Sequence, residues 1–408
     1  MSSNTVHNSS HSWKTYKLKD LVHFLDGDRR PIKSSNRISG DYPYYGASGI
    51  VDYVHDYIFD GEYVLLGEDG ENILSRNTRL VYYVKGKIWV NNHAHVLACL
   101  PHVNPIFLTE KLESLSYTNL NSGTAQPKLN KETCSNIVLQ IPPLAEQQKI
   151  AQALTDADNY ISALEKLIEK KKMMKEGLMV NLLTGKQRLK EFAFNEDGTA
   201  KGYKDSELGK IPEDWEIFKI KDLTYTTAGG TPSTLIDAYW GGENPWMSSG
   251  ELHLKEVFDV SERITNLGLE NSSTKYVPEN SVLIGLAGQG KTRGTVAISR
   301  IRLCTNQSIA AIFPNPKFNS DYLYYNLDNR YEELRSLSTG DGGRGGLNLF
   351  IINNLLIPSP SLDEQNAIVN KFKTIDHELN LLNSKLSKAK LLKQGMMQKL
   401  LTGEIRLA

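Results

Sequence analysis

Two short stretches of the chain carry residue types whose spacing could do chemistry. Gly285 to Thr292 reads GLAGQGKT and fits the phosphate-loop pattern G-x-x-x-x-G-K-[ST] at every fixed position, with Gly285, Gly290, Lys291 and Thr292 in their slots. Such a loop holds phosphates at the start of a helix, so it needs a strand before it and a helix after it. Ser281-Val-Leu-Ile-Gly supplies the strand, but Thr-Arg-Gly-Thr-Val-Ala-Ile-Ser follows Lys291. A glycine among β-branched residues there predicts a second strand and a glycine-rich hairpin, not a nucleotide site. Nor does a convincing apolar strand ending in a magnesium-binding aspartate follow. A phosphate-loop ATPase with a coiled-coil insert remains the remote alternative. The same turn suits contact with a nucleic acid: Gln289 can read adenine bidentately, Arg293 can read guanine, and Lys291 can hold a phosphate.

The second stretch is His93-Ala-His95, with Cys99 and His102 nearby. H-x-H on a strand followed by C-x-x-H is not a usual zinc spacing, so no metal is expected in this chain. The three cysteines, Cys99, Cys134 and Cys304, lack paired spacing and read as reduced structural thiols. No catalytic residue and no cofactor site is expected.

The elements that must position these stretches are set by an internal repeat. Leu144 to Leu189 aligns without a gap on Leu362 to Leu407, with about 17 of 46 positions identical. The matches include Glu146-Gln147 with Glu364-Gln365 and the LLTG blocks ending at Gly185 and Gly403. Each repeat predicts one long helix, opened after Pro142-Pro143 or Pro358 and Pro360 and stopped at the glycine. Apolar residues recur at alternating three- and four-residue spacing: Ile150, Leu154, Ile161, Leu164 and Ile168 in the first, Ile368, Phe372, Ile375, Leu379, Leu382 and Leu386 in the second. Two such seams are expected to pair as an antiparallel coiled coil, each helix about 60 Å long. Between the helices lie mixed α/β domains that open alike, Trp13 to Leu21 against Trp215 to Leu223, and then diverge. The expected organisation is a globular domain over residues 1–143, a helical spacer over 144–186, a second globular domain over 187–356 and a second spacer over 357–408, a pseudo-two-fold repeat.

Lysine plus arginine equals aspartate plus glutamate at 47 each, which excludes a basic coat over the whole surface. Positive charge must act locally, in loops and along the later part of each helix. No apolar run is long enough for a membrane helix and the start lacks a secretory signal, so the expected address is the cytoplasm.

Taken together, these features make the chain resemble the specificity subunit of a type I restriction-modification system. The resemblance rests on two dissimilar domains, each followed by a similar helix that begins P-x-x-x-E-Q and ends LLTG. Local segments add to it: YPYYGASGIVDYV from Tyr42, NNHAHVLA from Asn91, AGGTPST from Ala228 and CTNQSIAAI from Cys304. It implies a non-catalytic reader of double-stranded DNA, each domain recognising one half of a split target with the helices setting the spacing. It also implies two methyltransferase subunits and restriction or motor subunits as partners, with S-adenosylmethionine, ATP and magnesium held on them. No [DNS]-P-P-[YF] motif for adenine methylation is present, so methyl transfer falls to a partner. The specificity subunit of a fused restriction-methylation enzyme that cuts on both sides of its site is the alternative. By residue type and loop placement, DNA contacts are expected from Arg29, Arg30, Lys33, Tyr45, His93 and Lys128 in the first domain. Thr231, Ser248, Ser249, Asn306 and Arg344 join Gln289, Lys291 and Arg293 in the second.

Overall fold

The computed structural model describes residues 13–123, 126–288, 290–337 and 346–407. Two compact units divide it, Met1–Lys166 with Asn383–Ala408, and Leu167–Leu382. The boundary falls inside both long helices. Each unit therefore holds one globular domain, the opening part of the helix that follows it, and the closing part of the other helix. Among the described residues no helix is long and apolar enough to cross a membrane.

In the first unit the β-branched and aromatic runs form a six-stranded sheet in the order Val22–Phe24, Ala94–Cys99, Phe59–Gly67, Val81–Val90, Ser39–Gly46, Gly49–Val54. All neighbours are antiparallel except Ser39–Gly46 and Val81–Val90, where Tyr44 and Tyr45 pair in parallel with Trp89 and Val90. Pro105 in the first turn and the Asn104 side chain, which accepts from Phe107 N at 2.9 Å, start the helix Pro105–Glu113. Its Phe107, Leu108 and Leu112 are fully buried against Val64, Leu66, Val81 and Leu97. Such side chains stabilise by about 1.5–3 kcal/mol each on burial.

The second unit carries a five-stranded sheet, in the order Thr226–Ala228, Ile309–Ile312, Val282–Gly285, Val296–Ser299, Glu256–Val257. A four-stranded sheet accompanies it: Glu262–Ile264, Trp240–Met247, Leu303–Thr305, Tyr276–Val277. Although the sheets differ between the units, the closure of each domain is the same. Lys14–Lys17 pairs antiparallel with Val138–Ile141, and Glu216–Lys219 with Leu356–Ser359, each just before a long helix.

Those helices run Leu144–Leu183 and Leu362–Leu400. Their shared Glu-Gln pairs fasten helix to domain. In the first unit, Glu146 takes a bidentate pair from Arg406, Nε and one terminal nitrogen both at 2.6 Å, and the Gln147 amide donates to the Pro142 and His102 carbonyls while accepting from Asn104 N. In the second, Arg188 reaches Glu364 at 2.9 and 2.5 Å, the Trp215 indole donates to the same carboxylate at 3.1 Å, and Gln365 repeats the pattern with Pro360 and Asn319. The LLTG glycines have positive φ, +71° at Gly185 and +78° at Gly403. A Cβ on Gly185 would lie 2.3 Å from Pro212 Cδ, so both the conformation and the space demand glycine.

Within each unit the helix segments run antiparallel. Lys393 pairs with Asp158 at 2.6 Å and Lys390 with Glu165 at 2.7 Å in the first; Lys175 with Asp376 and Lys171 with Glu378, both 2.5 Å, in the second. Asp158–Lys393 and Asp376–Lys175 occupy equivalent positions in the two repeats. The apolar seam divides its labour. Ile150 and Leu154 are buried in the first domain's own core, and Ile368 and Phe372 in the second's, while Leu164, Ile168 and Leu379 are buried further along. Ile161, Ile375, Leu382 and Leu386 are half-buried.

Candidate nucleic-acid interface

In the first domain three chain segments meet around Glu68. Glu68 N donates to His93 O at 2.8 Å, Leu129 N to Glu68 O at 2.7 Å, and Gly70 N to Pro127 O at 3.0 Å. Three of the expected contact residues gather here. Lys128, half-exposed, has its Nζ 3.4 Å from Glu68. The His93 ring lies 2.7 Å from Asp69 and is half-exposed. Arg29 is the third, and its guanidinium is turned inward, only 13% exposed. One terminal nitrogen donates to Glu68 at 2.7 Å and to Ala94 O at 2.8 Å, while Nε donates to Asp26 O at 3.0 Å. Residue type suggested a DNA contact for Arg29, but the structure spends its donors on holding the loop. Arg30 and Lys33, a few residues on, are exposed, and the Arg30 carbonyl accepts from the Trp89 indole. Tyr45 is half-buried, its carbonyl accepts from Asn91 N at 3.0 Å, and burial, with Tyr53 beside it, raises the phenol above its usual range.

Beneath this loop cluster lies a charge pair that sequence reasoning missed. His95 is 1% exposed; its Nδ1 stands 2.7 Å from Asp26 and its Nε2 2.9 Å from Leu129 O. Burial alone would depress the imidazole, but the hydrogen bond to Asp26, contact with Cys134 and the Asp26 charge outweigh it and raise the pKa to about 10. Burial pushes Asp26 up, but the His95 hydrogen bond and charge, the Val96 N–H and the Arg29 charge together reverse that, so the carboxyl is lowered overall. Both ring nitrogens donate to oxygen, and desolvation pushes the Cys99 thiol up to about 12. The H-x-H…C-x-x-H string thus presents neither a free imidazole at His95 nor a ready thiolate at Cys99.

In the second domain the parallel strands Trp240–Met247 and Leu303–Thr305 end together, and Asn306 N donates to Met247 O at 3.0 Å. This brings Ser248, Ser249, Asn306 and Thr231 into one neighbourhood. Ser248 caps the short helix Ser249–Leu254 in a reciprocal box with Glu251, Asn306 accepts from Ser308 N, and the Thr231 hydroxyl donates to Gln307 at 2.5 Å. Leu286 N donates to Ser308 O at 2.8 Å, which ties the GLAGQGKT turn to the same region.

That turn joins two antiparallel strands, Val282–Gly285 and Val296–Ser299. Where a phosphate loop requires a helix, the chain makes a turn closed by Gly294 N to Gly285 O at 2.9 Å and then a strand. A Cβ on Gly285 would lie 2.2 Å from Thr292 O, so its glycine serves the turn. The nearby helix Tyr331–Ser336 braces the loop: Tyr331 donates to Lys291 O and Arg335 to Gly290 O. Lys291 is left exposed and Arg293 half-buried. Gln289 and Arg344 lie outside the described residues.

Comparison with known proteins follows the same pattern of two. The type I restriction modification DNA specificity domain matches residues 11–172 and again 212–391. The MjaVIII specificity subunit of a type I restriction enzyme from Methanocaldococcus jannaschii is 26% identical across 97% of this chain and 93% of its own length. The MjaIX specificity subunit from the same organism is 34% identical over 41% of this chain and 39% of its own. Among solved structures, the S subunit of a type I restriction-modification system from M. genitalium superposes with a TM-score of 0.60 at 14% identity, covering 98% of this chain and 99% of that one. With two matched domains covering most of its length, a shared fold and the duplicated domain-to-helix junction, the chain belongs to the type I restriction modification DNA specificity family.

Proposed function

We propose that this chain is the recognition subunit of a methylation and restriction complex, binding duplex DNA without itself catalysing a reaction. Each globular domain reads one half of a split target, and the paired helices set the distance between the halves. The observation that carries this reading is the repeated junction. The same glutamate, glutamine and arginine fasten two domains whose sheets and loops differ. A conserved mount under two different surfaces is what two independent half-site readers require. In the first domain Arg30, Lys33, His93 and Lys128 offer exposed or half-exposed donors; in the second, Lys291 offers a phosphate contact and Ser248, Ser249 and Asn306 polar side chains.

The helices supply surfaces for partners. Met173 and Met174 are 64% and 53% exposed, and the equivalent Leu391 and Leu392 are 67% and 66% exposed, each doublet flanked by lysines. Two equivalent apolar patches suit two copies of one partner, and we assign them to two methyltransferase subunits. Restriction or motor subunits join that assembly; S-adenosylmethionine, ATP and magnesium reside on the partners. The test is to map methylated adenines in a host expressing this chain with its methyltransferase. A split motif methylated on both strands is expected; a continuous motif, or methylation independent of this chain, would refute the reading.

A further inference from the structure

In the second domain a cavity adjoins the candidate DNA-reading neighbourhood, meeting it at Thr231. It is open, about 630 Å³, and its lining includes Thr231, Thr234, Asp237, Trp240, Trp246 and Glu262. The two indoles meet edge to face, with ring centroids 5.0 Å apart. Their N–H groups are committed to the loop behind them, Trp240 Nε1 to Ser233 O at 3.1 Å and Trp246 Nε1 to Gly230 O at 3.0 Å. The Thr231 hydroxyl is likewise committed to Gln307. Asp237 and Glu262 are both exposed and have no cationic partner among the described residues. Apart from the Thr234 hydroxyl, the side chains lining the cavity offer π surfaces and anionic acceptors, with their donors already spent.

That inventory discriminates between ligands. A phosphate would be repelled by two carboxylates, and a nucleobase would find its own acceptors unmet. A planar cation rich in N–H donors satisfies both halves of the lining, stacking on indole while hydrogen-bonding to carboxylate. The rim favours a protein as its source. Leu235, on the loop between Thr234 and Asp237, is 92% exposed, and the neighbouring Ile236 is 41% exposed. An exposed apolar loop segment beside a cavity of carboxylates and indoles matches an arginine presented on a folded partner surface. We propose that this cavity is a docking site for an arginine side chain of a protein partner, adjoining the DNA-reading loops at Thr231.

The test uses the full chain without DNA, so it is independent of whether the domain reads a half-site. With 5-fluorotryptophan incorporated, the five tryptophans give five fluorine resonances, assigned by single Trp→Phe changes. N-acetyl-arginine amide is titrated against N-acetyl-citrulline amide, its uncharged analogue, and against adenosine and cytidine. Arginine amide is expected to move the Trp240 and Trp246 signals and to leave those of Trp13, Trp89 and Trp215 in place. Citrulline amide is expected to move none. The pair Asp237→Asn and Glu262→Gln should weaken arginine binding about fivefold, as two exposed ion pairs would. Because both carboxylates are exposed, their unliganded fluorine spectrum should match the parent, which certifies folding. Equal shifts with citrulline, unchanged affinity in the double variant, tighter binding of a nucleoside, or no shift at all would each overturn the proposal.

Discussion

The Asp26 carboxylate and the His95 imidazole meet at 2.7 Å inside the first domain although 69 positions separate them in the chain. Nothing local in the sequence announces the pair. His95 read as half of an H-x-H string, and Arg29 as a base or phosphate contact. In the structure both are held by partly buried carboxylates, His95 by Asp26 and Arg29 by Glu68. Residue type told which side chains can bind DNA, while tertiary placement decided which are free to do so. The pair also sets a pH dependence. With its folded pKa raised to about 10, His95 keeps a proton that the unfolded chain, with a histidine near 6.5, has released. Its contribution is therefore complete below about pH 6.5 and declines as pH rises toward 10, by at most about 1.4 kcal/mol per pH unit. His95→Gln removes the cation hydrogen-bonded to Asp26 and leaves Arg29 3.8 Å away, so it should cost about 1.5–3 kcal/mol near neutral pH. Melting curves from pH 7 to 9.5 check this: the gap between wild type and variant should narrow as pH rises. A constant gap would mean the imidazole is neutral.

At the scale of elements the sequence was more legible. Prolines before Leu144 and Leu362 and glycines at 185 and 403 delimit helices observed at Leu144–Leu183 and Leu362–Leu400. The β-branched run after Lys291 similarly betrayed a hairpin beneath a phosphate-loop pattern. These features rest on local backbone preference, so a linear reading captures them. The seam was less transparent: Ile150, Leu154, Ile368 and Phe372 keep helical spacing but pack into domain cores, because periodicity reports burial and not what does the burying. The repeated Glu-Gln was visible as a motif, yet its purpose needed the partners Arg406 and Arg188, which lie beyond the ends of the opposite helices. That purpose makes a prediction. Glu364 is 1% exposed and holds both Arg188 and Trp215, so Glu364→Ala removes the buried partner of a guanidinium that then keeps only Asp214, at 2.8 and 3.1 Å. The expected cost is about 1.5–3 kcal/mol, read as a lower midpoint in urea for the second unit, whereas Arg188→Met with Glu364→Leu should recover most of it. If the single variant melts like wild type, the junction does not hold helix to domain.

Across the whole molecule, duplication is the feature with functional reach. Each long helix contributes to both units, opening against its own domain and ending beside the other. Equivalent ion pairs, Asp158 with Lys393 and Asp376 with Lys175, register the antiparallel segments in each unit. A tether of this kind converts helix length into a distance, since an α-helix rises about 1.5 Å per residue. Inserting four residues after Lys170 adds about 6 Å, nearly two base pairs at 3.4 Å each. The two domains and their loops are untouched, so the bases of each half-site should stay the same while the unspecified spacer lengthens by one or two base pairs. Methylated-adenine mapping in a host carrying the lengthened chain and its methyltransferase reads both quantities at once. Unchanged spacing with retained methylation would sink the ruler, and altered half-site bases would locate part of the reading surface on the helices. Exchanging Ile211 to Leu356 for the matching domain of a relative is the complementary case: one half of the motif should change, and the spacer with the other half should persist.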